Sequence, residues 1–139
     1  MIELDNRTPL SVNAKLLNTI ASSLTDKEIE LIITNNSEMQ EINSMHRDIN
    51  KPTDVLSFPY EDMPMTPLGS IVISQEFVEQ KALELGHTKE NELTLLFIHG
   101  LLHLLGYDHE VDNGEMRIKE QSIIEAFKLP DSLIVRTEG

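Results

Sequence analysis

The sequence predicts an α+β fold: a small mixed sheet of about four strands packed with about five helices. Three observations carry that expectation. Short runs rich in Ile and Val, such as EIELIITNN, DVLSF and SIVIS, alternate with stretches of helical periodicity. One stretch, Glu90 to Leu105, is apolar on nearly every side, which marks a helix central to the core and carrying histidines. The 139 residues contain no internal repeat, low-complexity run or linker, so residues 1–139 read as one domain.

In chain order, residues 2 to 5 predict a short first strand. Thr8-Pro9 reads as an N-cap followed by proline in the first helical turn. Leu10, Ala14, Leu17, Ala21 and Leu24 continue at helical spacing to about residue 24. Residues 28 to 36 predict a buried strand, and Met39, Ile42 and Met45 predict a helix from Ser37 to about Arg47. Asp54 to Phe58 predicts a third strand, ended by Pro59. The segment YEDMPMTPLG holds two prolines directly after Pro59 and reads as irregular loop. Ser70 to Ser74 predicts the fourth strand, with Ser74 capping a helix to about Leu85. After the apolar helix, Asp112 and Glu115 resemble a capping box. Met116, Ile123, Ile124 and Phe127 mark the buried face of a last helix that ends before Pro130.

Composition narrows the function. Apolar residues are 40% of the chain but aromatics only 4%, so the core is built mainly from Leu, Ile and Val. No cysteine is present, which excludes disulfides and thiolate-held metals and fits the cytoplasm. The first residues lack a basic region followed by an apolar run, so no signal peptide is expected, and no stretch approaches the roughly 18 apolar residues of a membrane span. The net charge is −13, from 24 acidic and 11 basic residues, where nucleic-acid binders usually carry a basic surface. On composition alone this is a soluble enzyme with an acidic surface.

The chemistry concentrates in HGLLHLLGYDH, residues 99 to 109. On a helix His99 and His103 lie one turn and about 40° apart, so both imidazoles can address one ion. Gly106 stands where a helix often ends in the left-handed conformation, which would turn the chain back and bring His109 toward the same point. Three neutral nitrogen ligands with a fourth position open form a catalytic zinc pattern. The spacing also fits metzincin proteases, H-E-x-x-H-x-x-G-x-x-H, but Gly100 stands where their glutamate base would be, which disfavours a metallopeptidase. Asp108 either orients a ligand or caps the turn. His46 and His87 read as surface residues.

HGLLHLLGYDH resembles the H-G-x-L-H-L-x-G-Y-D-H pattern of the YbeY family, bacterial rRNA maturation factors, at every fixed position. INSMHRDINKPTDVLSFP, residues 42 to 59, resembles that family's L-N-x-x-Y-R-x-x-D-x-P-T-D-V-L-S-F-P, and LGSIVIS, residues 68 to 74, its L-G-D-I-x-I-S. His46, Asn50 and Ser70 depart from the usual Tyr, Asp and Asp. The resemblance implies a metal-dependent endoribonuclease that cuts single-stranded RNA, matures the 16S rRNA 3′ end and takes part in ribosome quality control. It implies His99, His103 and His109 as ligands of one divalent ion, usually Zn2+, and Arg47 as the arginine important for activity. The partners implied are precursor 16S rRNA, the small ribosomal subunit, ribosomal protein S11 and the Era GTPase; neither a membrane nor DNA is expected. Arg47 would offer a planar, permanently charged donor fork to phosphate oxygens, and Lys51 lies near it in sequence. The charge of −13 leaves open a non-catalytic assembly factor that docks on basic ribosomal proteins and uses its metal structurally.

Overall fold

A computed structural model of the protein describes residues 1–51, 53–108 and 113–129. Among these residues the chain runs β1 (Ile2–Asn6), α1 (Ala14–Ser22), β2 (Ile29–Thr34), α2 (Asn36–Arg47), β3 (Val55–Pro59), β4 (Gly69–Ser74), α3 (Gln75–Leu85), α4 (Lys89–Leu104) and α5 (Glu115–Ala126). The sheet order is β1-β2-β4-β3, with β1, β2 and β4 parallel and β3 antiparallel to β4. The expected α+β fold, with a four-stranded mixed sheet and five helices, is therefore what the described residues form.

Strand alternation divides the core into two layers. Leu31, Ile33, Ile71 and Ile73 face one side and pack against Leu93, Phe97, Leu101 and Leu104 of α4. Val72 and Leu56, one residue out of phase, face the other side and meet Met39 of α2, with Ile32, Ile42 and Phe58 around them. Both faces of β4 are covered, which is why all six of its residues are buried. Pro59 is accommodated because β3 is an edge strand.

Helix α4 is apolar all round because it is enclosed on several sides. Beyond its contact with the sheet, Ile98 and Leu102 pack with Ile20 of α1 and with Met116 and Ile123 of α5, while Leu95 packs on Ile124. A fully buried Leu, Ile or Phe contributes about 1.5–3 kcal/mol, several times any difference in helix propensity. Packing therefore holds α4 in place, with Thr88 capping its start by accepting from Asn91 N at 3.0 Å.

Two helix starts differ from expectation. Helix α1 begins at Ala14, capped by the Asn13 side chain, rather than at Thr8-Pro9. Asn6 Oδ1 accepts from both the Thr8 backbone N–H and its hydroxyl, holding Thr8 in a turn. Leu10 enters the core from this loop instead of from a helix. Helix α5 begins after Gly114, which is left-handed and makes no side-chain cap. Glu115 Oε2 accepts from Asn113 N, and Asp112 and Pro130 lie outside the described residues. Asn35 ends β2 and caps α2 through a bond from Glu38 N, and Ser74 caps α3 as expected.

Candidate functional site

Helix α4 carries His99 and His103 to one spot. Their rings meet edge to face with centroids 4.7 Å apart, and the two Nε2 atoms stand 3.2 Å from each other. Both side chains line an open cleft of about 570 Å³, together with Arg47, Asp54, Ser57 and Asp108. Its walls thus come from α4 and the segment after it, from the approach to β3 and β3 itself, and from the end of α2.

Gly100 sets the depth of this site. A Cβ at that position would lie 2.9 Å from Ile71 Cγ2 and 3.1 Å from Ser57 Oγ, so the helix rests directly on the sheet. Ser57 uses the proximity to donate its hydroxyl proton to the Gly100 carbonyl at 3.0 Å. The position that holds a base in metzincins is here a helix–sheet contact with no space for a carboxylate.

The end of α4 follows the expected glycine stop. Gly106 has φ +100°, its N–H donates to the His103 carbonyl at 3.0 Å, and Tyr107 N–H donates to the Leu102 carbonyl at 3.0 Å. These are the two bonds of a Schellman ending, and Tyr107 packs beside Leu102 as such endings favour. The chain therefore turns back along the cleft through Tyr107 and Asp108. His109 lies outside the described residues. Among the described residues no group of three or more His, Asp or Glu side chains is gathered closely enough to hold a metal, so the observed donor set is the histidine pair.

Behind the pair stands a residue that the sequence reading passed over. Glu120 of α5 is buried, and its Oε1 accepts from His99 Nδ1 at 2.8 Å. Donating that proton makes His99 Nε2 the lone-pair nitrogen, and Nε2 is the atom directed at His103. The signal was present in the sequence. Glu120 falls between Met116 and Ile123 on the apolar stripe of α5, a polar residue at a core position.

Arg47 is the last residue of α2, and Asp48 after it takes the left-handed conformation at φ 55°. The arginine is exposed and lines the same cleft as the two histidines. His46 beside it is exposed, as expected, and tilts against Phe58 at 5.1 Å. His87 corrects its expectation. Its side chain is only 4% exposed and lies 3.2 Å from Glu92 Oε2, a carboxylate sealed at 0% exposure. A buried carboxylate needs a donor, and His87, placed at the left-handed end of α3, provides it.

A mixed sheet covered on both faces, with a buried apolar helix presenting a histidine pair to an open cleft, defines a small α+β protein with a metal-ligand type of donor set. The chain belongs to the endoribonuclease YbeY family, whose sequence profile matches residues 3–128. It is 65% identical over 139 residues to an endoribonuclease YbeY of Sulfurimonas denitrificans, covering 100% of both chains. Its identity to an endoribonuclease YbeY of Helicobacter pylori is 54% over 139 residues, covering 99% of each. The fold is similar to that of a Thermotoga maritima protein solved in solution, with a TM-score of 0.63, 32% identity, and coverage of 91% of this chain and 89% of that one.

Proposed function

We propose that this chain is a zinc-dependent endoribonuclease of the cytoplasm that cuts single-stranded RNA and matures the 3′ end of 16S rRNA on the small ribosomal subunit. The observation that carries the reading is the 3.2 Å approach of the two Nε2 atoms in a cleft faced by Arg47, in a chain of this family. Two nitrogens held about 2.0–2.1 Å from one tetrahedral zinc lie roughly 3.3–3.4 Å apart, so the separation of the pair is close to what such an ion needs. His109 is the third ligand in this reading.

Zinc, when bound, supplies Lewis acidity toward a phosphoryl oxygen and toward the attacking hydroxyl. The protein's own part is electrostatic. Glu120 keeps His99 in the tautomer that presents Nε2. Arg47 offers two parallel N–H donors to phosphate oxygens as negative charge develops on them. Peptide hydrolysis is not expected, because Gly100 provides no base and its surroundings admit none.

The charge of −13 supports a substrate presented on the subunit, where ribosomal protein S11 and the Era GTPase are the companions implied by the family resemblance. The test is single-turnover cleavage of precursor 16S RNA, free and on assembling subunits, by protein of measured metal content. Wild type should cut the assembled substrate better. Arg47→Ala should keep fold and metal while losing on the order of a hundredfold in rate, and Arg47→Lys should recover only part. A full rate in Arg47→Ala would strike the arginine from the site. No cleavage of either substrate by metal-replete protein would leave the same acidic surface to an assembly factor without catalysis.

A further inference from the structure

A second hollow, of about 440 Å³, adjoins the histidine cleft and shares Arg47 and Asp54 with it. Its lining adds Lys51, Lys81, Phe77 and Asn43. Three cations around one hollow are notable in a chain that has only 11 basic residues and a charge of −13. Among the described residues, neither Arg47 nor Lys51 has an ion-pair partner, and Lys81 has only a 3.4 Å contact with exposed Glu84. Asp54, the acid in the lining, is held by the start of β3: its Oδ1 accepts from Val55 N at 2.8 Å and from the Thr53 hydroxyl at 3.3 Å.

Two further features distinguish this hollow from a chance group of lysines. Phe77 is a half-buried ring in its wall, and cations beside an aromatic ring are what single-stranded nucleic acid uses, the charges for phosphates and the ring for a base. Asn43, 2% exposed, donates from Nδ2 to the Lys51 carbonyl at 2.8 Å, while its Oδ1 has no donor among the described residues. An orphan acceptor of this kind is costly, and it lies just beneath the wall of the hollow, where a small turn of the Asn43 side chain would offer it to a sugar hydroxyl or base amine.

We infer that this groove is the track for the single-stranded RNA flanking the scissile phosphate, with Lys51 and Lys81 on successive phosphates, Phe77 under a base, and Arg47 joining the track to the cleft. The inference rests on the reading of the cleft as a ribonuclease site. It also accounts for how an acidic protein holds a polyanion: the favourable charge is confined to one groove leading to the histidines.

The test compares Lys51→Ala/Lys81→Ala with Lys15→Ala/Lys27→Ala, a pair that removes the same charge from residues lining neither hollow. Full-length, metal-loaded protein is titrated with a fluorescent single-stranded RNA decamer, and cleavage of that RNA is followed in parallel. The groove pair should weaken binding about tenfold and make its dependence on log salt shallower by roughly 1.4. It should raise KM with kcat kept, and the control pair should change binding far less. Phe77→Leu should weaken binding about fivefold or more without altering the salt dependence. Equal losses in groove and control pairs, or none in either, would overturn the track. Weakened binding in the groove pair alone, with no cleavage by wild type, would retain the track and sink the ribonuclease reading.

Discussion

The two ends of α4 hold the same chemical pair in different settings. At the N-terminal end His87 Nδ1 lies 3.2 Å from Glu92 Oε2, with side chains 4% and 0% exposed. Near the C-terminal end His99 Nδ1 lies 2.8 Å from Glu120 Oε1, with side chains 29% and 7% exposed. In both a carboxylate engages Nδ1. What differs is the surroundings of the ring. His87 is enclosed, and its bond ties the end of α3 to the first turn of α4. His99 opens on a cleft and presents Nε2 to a second imidazole one turn away. A histidine–carboxylate pair is a structural tie in the first case and, in the function proposed above, the support of a metal ligand in the second, and the neighbourhood of the other ring nitrogen decides which.

The largest expected effect lies at the open end. Wild-type protein should bind about one divalent ion per chain, and His103→Ala should remove most of it along with cleavage, because it takes away one of the two converging nitrogens. Elemental analysis of the purified variant checks this. Unchanged stoichiometry would show that the open pair is no more a metal site than the sealed one, and the contrast between the two ends would collapse.

A smaller effect is expected one layer back. Glu120→Ala frees His99 to change tautomer or rotate, and loss of such a support typically weakens metal binding about 10- to 100-fold. Glu120→Gln keeps an oxygen to accept the Nδ1 proton and should restore much of that loss. Chelator competition gives the affinities, and imidazole nitrogen shifts in metal-free protein report whether His99 still carries its proton on Nδ1. If Glu120→Ala leaves both unchanged, Glu120 only fills space, as a core residue would.

These contrasts also separate what could be read in the sequence from what could not. His99, His103 and Gly106 were legible because a four-residue spacing and a glycine stop are local consequences of helix geometry, and the expected Schellman ending formed. The strands were legible from their β-branched runs, although Asn35 left β2 to cap α2. Glu120 was not legible as a support, since it lies 21 residues from His99 and only the packing of α5 on α4 brings them together. His87 was misread as surface because its polar neighbours say nothing of the buried carboxylate that draws it in. The start of α1 was misread because Asn6, a strand residue, captures Thr8 before a helix can use it. Each miss is a side chain of one element acting on another, which spacing along one segment does not reveal.

The smallest effect on the site should come from the sealed end, and it completes the comparison. His87→Ala removes the imidazole bonded to a carboxylate that has no exposure to water. Losing one hydrogen bond to a buried charged group costs about 1.5–3 kcal/mol, so the variant should melt several degrees lower. Glu92→Gln keeps an acceptor and removes the need to bury an ionisable group, so its loss should be smaller. Neither change touches the cleft, and Glu92 stands about two helical turns before His99 on α4. Metal content and turnover per folded molecule should therefore stay at the wild-type level in both. Thermal unfolding, elemental analysis and single-turnover cleavage on the same preparations check the three quantities together. A His87→Ala variant that folded fully but lost its metal would show α4 transmitting strain from one end to the other, and the tie would then belong to the site.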